Sequence, residues 1–178
     1  DGGSSWEKTT SSRTVRVKPD PNNENIVMAC GTSGIFRSVN GGNSFSRVST
    51  ENSLDLEYHP TNSNIVYASG SIFLKSIDNG LSFFEVSGPS GTYSRLAVST
   101  AEPNSVWLTT TSGNEFESLH KSTNSGSELV STIANVGIPN FLASKIAIDS
   151  RITSTTNKAA GKRVMSEIEP KFFSSLAL

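Results

Sequence analysis

Apolar and polar residues alternate in short runs along most of this chain. Thr14-Val15-Arg16-Val17-Lys18 has the period of a strand with one buried face, and Leu54-Asp55-Leu56-Glu57, Leu96-Ala97-Val98-Ser99 and Ile146-Ala147-Ile148-Asp149 repeat it. A turn rich in proline and asparagine follows the first two: Pro19-Asp20-Pro21-Asn22-Asn23, then His59-Pro60-Thr61-Asn62-Ser63. Proline fixes φ there and cannot donate to a ladder, so the strand ends. Next come runs apolar without alternation, Asn25-Ile26-Val27-Met28-Ala29, Asn64-Ile65-Val66-Tyr67-Ala68 and Asn104-Ser105-Val106-Trp107-Leu108, which read as central strands buried on both faces. Third strands are predicted at Gly34-Ile35-Phe36-Arg37-Ser38 and Ser71-Ile72-Phe73-Leu74-Lys75-Ser76.

The third strand always runs into the same kind of turn. Ser38-Val39-Asn40-Gly41-Gly42-Asn43-Ser44-Phe45 returns as Ser76-Ile77-Asp78-Asn79-Gly80-Leu81-Ser82-Phe83, and more weakly as Ser122-Thr123-Asn124-Ser125-Gly126-Ser127-Glu128-Leu129. The first residues, Asp1, Gly3 and Trp6, are the same unit with its start removed. Aligned on the Asp or Asn, the copies stand at 1, 40, 78 and 124. Self-similarity at about 40 residues marks stacked supersecondary units such as propeller blades. The Asx side chain accepts hydrogen bonds from the turn's own amides and the glycine takes a positive φ. The aromatic three residues on, Phe45 or Phe83, folds back as an apolar plug worth about 2 kcal/mol of transfer free energy.

The pattern Ser-x-Asp-x-Gly-x-Ser/Thr-aromatic, with Asn for Asp in two copies, resembles the Asp-box, or BNR repeat, of sialidase-like and sortilin (Vps10)-like β-propellers. The fuller unit, from Asn25 through Gly31 and Gly34 to the box, resembles the repeats of secreted bacterial propeller proteins and xyloglucanase-like hydrolases. The resemblance covers roughly residues 1 to 130. It implies an all-β partial propeller of about three to four four-stranded antiparallel blades. It also implies that the boxes (Asp1, Gly3 and Trp6; Asn40, Gly42 and Phe45; Asp78, Gly80 and Phe83; Asn124 and Gly126) are structural and lie away from any substrate.

The organisation expected is the end of a preceding blade in 1–12, blades in 13–50, 51–90 and 91–132, and the start of a further blade with an irregular tail in 133–178. Val164, Ile168 and Phe172 could line one face of a helix, but Pro170 interrupts it. A ring of blades must bury the flank of each against the next, and this number does not close. The missing blades are therefore expected from the same parent chain or from another, and a chain that begins inside a box is expected to be a piece of something longer.

Composition narrows the partners. A net charge of −1 offers no basic surface for nucleic acid or an anionic membrane, and no apolar run approaches the length of a membrane span. Cys30, the single cysteine, allows no internal disulfide and reads as a small buried residue. Few cysteines, abundant Ser, Thr, Asn and Gly, and no Asn-x-Ser/Thr sequon fit an exported bacterial protein, secreted or at the cell surface.

Candidate chemistry is thin. A sialidase needs an arginine cluster, and the arginines here are scattered; Arg151-Ile152-Thr153 lacks the proline of the family's Arg-Ile/Leu-Pro signature, and Arg37 is replaced by Lys75 and Lys121 as at a solvated position. A glycosidase needs two carboxylates across a cleft. Asp55 and Asp149, with Glu57 and Glu102, stand near the ends of predicted inner strands, where alternation leaves them exposed. The third unit carries about eight extra residues between Trp107 and its box, read as a loop in which Gly113, Asn114, Glu115 and Phe116 could contact a ligand, a glycan or a protein. His59 and His120 have no second ligand at metal spacing and read as turn or surface residues, and one Asx per turn falls short of calcium's oxygen shell. No metal and no cofactor are implied.

Overall fold

Each alternating run within the described residues opens a four-stranded antiparallel sheet. The computed structural model describes residues 4–9, 12–88, 92–112 and 115–134. The first sheet is β1 (Thr14–Asp20), β2 (Asn23–Gly31), β3 (Gly34–Ser38) and β4 (Ser46–Ser49), paired in that order. The second is β5 (Ser53–His59), β6 (Asn62–Gly70), β7 (Phe73–Ser76) and β8 (Phe84–Glu85). The third is β9 (Thr92–Val98), β10 (Val106–Ser112), β11 (Glu115–Ser122) and β12 (Val130–Ala134). Short hairpins, with β-branched and aromatic residues in the central strands, produce this meander.

The sheets stack flank to flank, with β1, β5 and β9 side by side and β2 against β5, β6 against β9. Two apolar cores fill the spaces between them. Met28, Cys30 and Ile35 of the first sheet meet Leu56, Tyr58, Val66, Ala68 and Leu74 of the second. Tyr67, Phe73 and Val86 of the second meet Leu96, Val106, Leu108 and Leu129 of the third, with Tyr93. The second blade thus turns Leu56, Tyr58, Val66, Ala68 and Leu74 to the blade before, and Tyr67, Phe73 and Val86 to the blade after. Removing a leucine or valine from water contributes about 1.5–3 kcal/mol, so these cores carry the stack.

The repeated turns have one geometry. Ser38 donates to Asn40 Oδ1 at 2.9 Å and accepts the Gly42 amide at 2.9 Å, while Asn40 Oδ1 also accepts the Ser44 amide at 3.0 Å. Ser76, Asp78, Gly80 and Ser82 make the same set at 2.7, 2.9 and 3.0 Å. Ser122, Asn124, Gly126 and Glu128 do so at 2.8, 2.9 and 3.0 Å. Two consecutive residues take positive φ in each turn: Gly41 and Gly42, Asn79 and Gly80, Ser125 and Gly126. The first of each pair donates its amide to the blade's own Asn25, Asn64 or Asn104 carbonyl at 2.8–2.9 Å, pinning the turn to the start of the central strand.

Glycines of these turns also serve the stacking. A β-carbon at Gly80 would come within 2.7 Å of the Met28 thioether in the preceding blade, and one at Gly126 within 2.9 Å of the Tyr67 ring. Phe45 and Phe83 are half-buried, Phe83 against the first core, and Leu129 replaces the aromatic in the second.

Three expectations need correction. The extra residues of the third unit lengthen a hairpin: Thr110 pairs with Ser118, Thr111 with Phe116 and Ser112 with Glu115, so Glu115 and Phe116 belong to β11. A threonine-rich run sustains the ladder there because β-branched side chains fit a pleated surface. Against the described residues Trp6 is not a plug: it is 92% exposed. Arg37 and Lys75 are not solvated: Arg37 Nε donates to the Asn79 carbonyl at 2.9 Å and Lys75 Nζ to Ser127 Oγ at 3.2 Å, each reaching the turn of the next blade. Asp1, Gly3 and residues 135–178, including the segment 146–149 and the 164–172 pattern, lie outside the described residues.

Candidate functional site

The inner strands hold the charged residues that the sequence offers for chemistry. One residue is passed over in each strand's pairing, between Thr14 and Arg16, Ser53 and Asp55, and Tyr93 and Arg95, and these bulges set which residues correspond. Arg16 pairs with Cys30, Asp55 with Ser69 and Arg95 with Thr109, so the three occupy one row across adjacent blades. The third-blade counterpart of Asp55 is thus Arg95 rather than Ala97, a displacement of two residues from the alignment that alternation gives.

Asp55 is the centre of that row and is fully buried, contrary to the exposure predicted for it. Its Oδ1 lies 2.5 Å from Arg16 Nε in the preceding blade and accepts the Leu56 amide at 2.9 Å. Its Oδ2 accepts the Leu96 amide of the following blade at 3.0 Å. Arg95 donates to the Leu54 carbonyl at 3.3 Å. A carboxylate removed from water requires a countercharge and several donors, and this one has them from three consecutive blades. Two residues further along these strands, Lys18 and Glu57 form an ion pair at 2.7 Å; burial nevertheless pushes Glu57 above its ordinary value, against the opposing pull of Lys18.

The remaining candidates are dispersed. Glu102 lies in the turn between β9 and β10, where burial works to raise its pKa, but hydrogen bonds from Lys121 at 2.9 Å and Ser105 at 2.9 Å outweigh burial and hold it low. Asp149, Gly113 and Asn114 lie outside the described residues, and Glu115 and Phe116 are placed only by their strand. His59 and His120 are both buried, not on the surface. His59 Nδ1 accepts the Thr61 amide at 3.3 Å, capping its turn, and burial lowers the ring's pKa. The His120 ring spans β10 and β12 between Thr110 at 3.1 Å and Ser131 at 2.9 Å. Cys30 is buried and its thiol is pushed up to about 11, mainly by desolvation. Among the described residues no group of three or more His, Cys, Asp or Glu is placed to hold a metal ion, and no helix is long and apolar enough to cross a membrane.

Sequence reasoning missed the feature at the far flank. Lys121 corresponds to Arg37 and Lys75 but reaches back within its own blade, to Glu102 and over the Trp107 ring at 4.6 Å. Beside it a shallow cavity of about 170 Å³ is lined by Lys121, Thr123, Asn124, Glu128 and Val130. The signal was present: Trp107 stands where the other blades have Met28 and Tyr67.

Stacked four-stranded antiparallel sheets with adjoining first strands are the blades of a β-propeller. Solved structures agree. The chain is similar to an ancestral GH74 enzyme at 23% identity and a TM-score of 0.61, covering 72% of this chain and 20% of that one. The GH74 enzyme of Niastella koreensis matches at 19% identity and a TM-score of 0.55, over 71% of this chain and 22% of that one. YCF48 bound to D1 peptide matches at 13% identity and a TM-score of 0.53, over 68% and 40%. The chain spans about a fifth of the length of the GH74 structures it resembles. No protein-family model matches it, and no curated protein does.

Proposed function

We propose that the chain is a segment of an exported bacterial propeller, built on Asp-box turns, that binds a glycan or a protein ligand without transforming it. The observation that carries this reading is the state of Asp55. A glycosidase acid or base must present an oxygen to substrate. Both oxygens of Asp55 are instead engaged by Arg16, Leu56 and Leu96 in a fully buried position. Its neighbour Glu57 is paired with Lys18. A glycan-array screen and calorimetry with the chain, run beside a reducing-end release assay on xyloglucan oligosaccharides, test it. Binding without release supports the proposal, and release that survives purification contradicts it.

A second reading, a fragment of a xyloglucanase-like glycoside hydrolase, draws support from the likeness to two GH74 enzymes, which is one of fold. Its acids would come from outside the described residues. A third reading, a sortilin-like or assembly scaffold, draws on the fold likeness to YCF48, a propeller solved with a bound peptide. Pull-down of a stable protein partner with no glycan retained separates this last reading from the other two.

A further inference from the structure

We propose that the joint between the second and third blades is acid-sensitive: protonation of the buried His59 ring loosens the third blade from the second, while the joint between the first and second blades holds. The two joints follow one plan with different side chains. Asp20 closes β1 where it pairs with Asn23, and His59 closes β5 where it pairs with Asn62. Asp20 Oδ1 accepts the Asn22 amide at 2.8 Å, and His59 Nδ1 accepts the Thr61 amide at 3.3 Å. Each side chain then reaches into the next blade. Asp20 Oδ2 accepts Asn79 Nδ2 at 2.6 Å. The His59 ring hydrogen-bonds the Asn104 side chain. Asn104 in turn holds the third blade's turn, accepting the Ser125 amide at 2.8 Å and the Ser125 hydroxyl at 3.0 Å.

Only the histidine joint changes between neutral and mildly acid pH. A backbone amide can only donate, so the Nδ1 that faces Thr61 carries no proton and the ring is neutral. A proton added at Nδ1 sets donor against donor at a residue only 5% exposed. The Thr61 hydroxyl also faces Nδ1, but at 3.5 Å, so accepting that proton requires the turn to move. The new charge meets no carboxylate: among the described residues the groups that act on the ring are the Asn104 side chain and the Lys75 ammonium of β7, and the ring packed on it is Tyr67 of β6 at 6.4 Å. Lys75 itself reaches Ser127 of the third blade, so the acidified joint holds two cations, whereas the first joint sets Asp20 and Arg37 on the same Asn79 side chain. His120 differs, because its two nitrogens face the hydroxyls of Thr110 and Ser131, which can turn to accept as well as donate. Burial holds the His59 pKa below its ordinary value, Lys75 acts in the same direction, and the hydrogen bond with Asn104 opposes both. The unfolded ring therefore takes its proton first as pH falls, so the joint has its full strength above about pH 6.5 and weakens progressively below it. No ligand takes part, so this device can fail while the proposed function stands.

Amide exchange by NMR on the whole chain, from about pH 7.5 to about pH 5, tests it. Protection factors remove the intrinsic pH dependence of exchange. The Thr61 and Ser125 amides should lose protection over the range in which the His59 ring proton shifts titrate, and the counterpart Asn22 and Asn79 amides should keep theirs. His59→Asn, which offers an uncharged acceptor, and His59→Asp, which copies Asp20, should each remove the pH dependence at Ser125. The comparison within the wild type decides by itself where a variant does not fold. Loss at all four amides together overturns the proposal, as does a ring that titrates with no loss at Thr61 and Ser125, or one that stays neutral throughout. A loss at Ser125 that persists in either folded variant overturns it as well.

Discussion

The carboxylate of Asp55 in β5 accepts the amide of Leu96 in β9 at 3.0 Å, joining two blades through one side chain whose other oxygen holds Arg16 of a third blade. The residue that looks most like a catalytic acid in the sequence is therefore a tie between inner strands. Removing it leaves a guanidinium without its countercharge and a buried Leu96 amide without an acceptor. Asp55→Ala is expected to lower the free energy of unfolding by on the order of 3 kcal/mol, with a smaller loss for Asp55→Asn, which keeps one acceptor oxygen. Urea denaturation followed by tryptophan fluorescence measures both.

Gly80 answers to two constraints at once, a φ of 75° and the Met28 thioether in the adjoining blade. Gly80→Ala should destabilise by about 1–2 kcal/mol, part of it from the left-handed backbone and part from displacing Met28. Because the second part depends on Met28, the double variant with Met28→Ala should lose less than the sum of the single losses. Strict additivity in that cycle would show that the turn does not press on the first blade.

Asp78 differs from Asn40 and Asn124 in carrying a charge that its turn must stabilise. Burial works to raise its pKa, but hydrogen bonds from the Ser82 hydroxyl and amide, the Ser76 hydroxyl and the Leu81 amide outweigh burial and bring it from 3.8 to about 2. A carboxyl with a depressed folded-state pKa stabilises the fold above its unfolded value, and that contribution is lost as pH falls through the folded one. The melting temperature of the wild type should exceed that of Asp78→Asn at neutral pH, and the gap should narrow between about pH 4 and pH 2. The group is only half-buried, so water screens the effect and the gap is modest. A gap independent of pH over that range would contradict the assignment.

The Cys30 thiol, buried and raised to about 11, should resist thiolate chemistry in the native chain. Ellman's reagent at pH 8 is expected to leave it unmodified until denaturant is added, when one thiol per chain reacts. Rapid reaction without denaturant would place it at the surface.

The repeat was legible because its ingredients are local. Glycine two residues after an Asx, a serine two before it and a period-two strand leave their marks within a dozen positions, and the structure gives the three described turns one hydrogen-bond pattern. What was not legible lies between blades. Asp55 looks solvated on an alternating strand, and only its partnership with Arg16, 39 residues earlier, explains its burial. Leu96-Ala97-Val98-Ser99 has the same alternation as Leu54-Asp55-Leu56-Glu57, and only the strand pairing, with the same bulge at Val15, Leu54 and Ser94, shows that Arg95 shares the row of Arg16 and Asp55. Arg37 and Lys75 misled in the same way, since a cation that reaches a neighbour's turn has the sequence appearance of one in water. The extra residues after Trp107 read as a loop because length alone does not distinguish a loop from a longer hairpin.

Amide hydrogen exchange by NMR at Leu96, compared between wild type and Asp55→Ala, which leaves no acceptor there, tests the structural role of Asp55 most directly. In the wild type the Leu96 amide should be protected to a degree comparable with Leu108 in the core of the same blade. In the variant its protection should fall well below that of Leu108. Equal protection of Leu96 and Leu108 in both proteins would mean that the Asp55 carboxylate does not hold that amide, and would return Asp55 to the pool of groups available for catalysis.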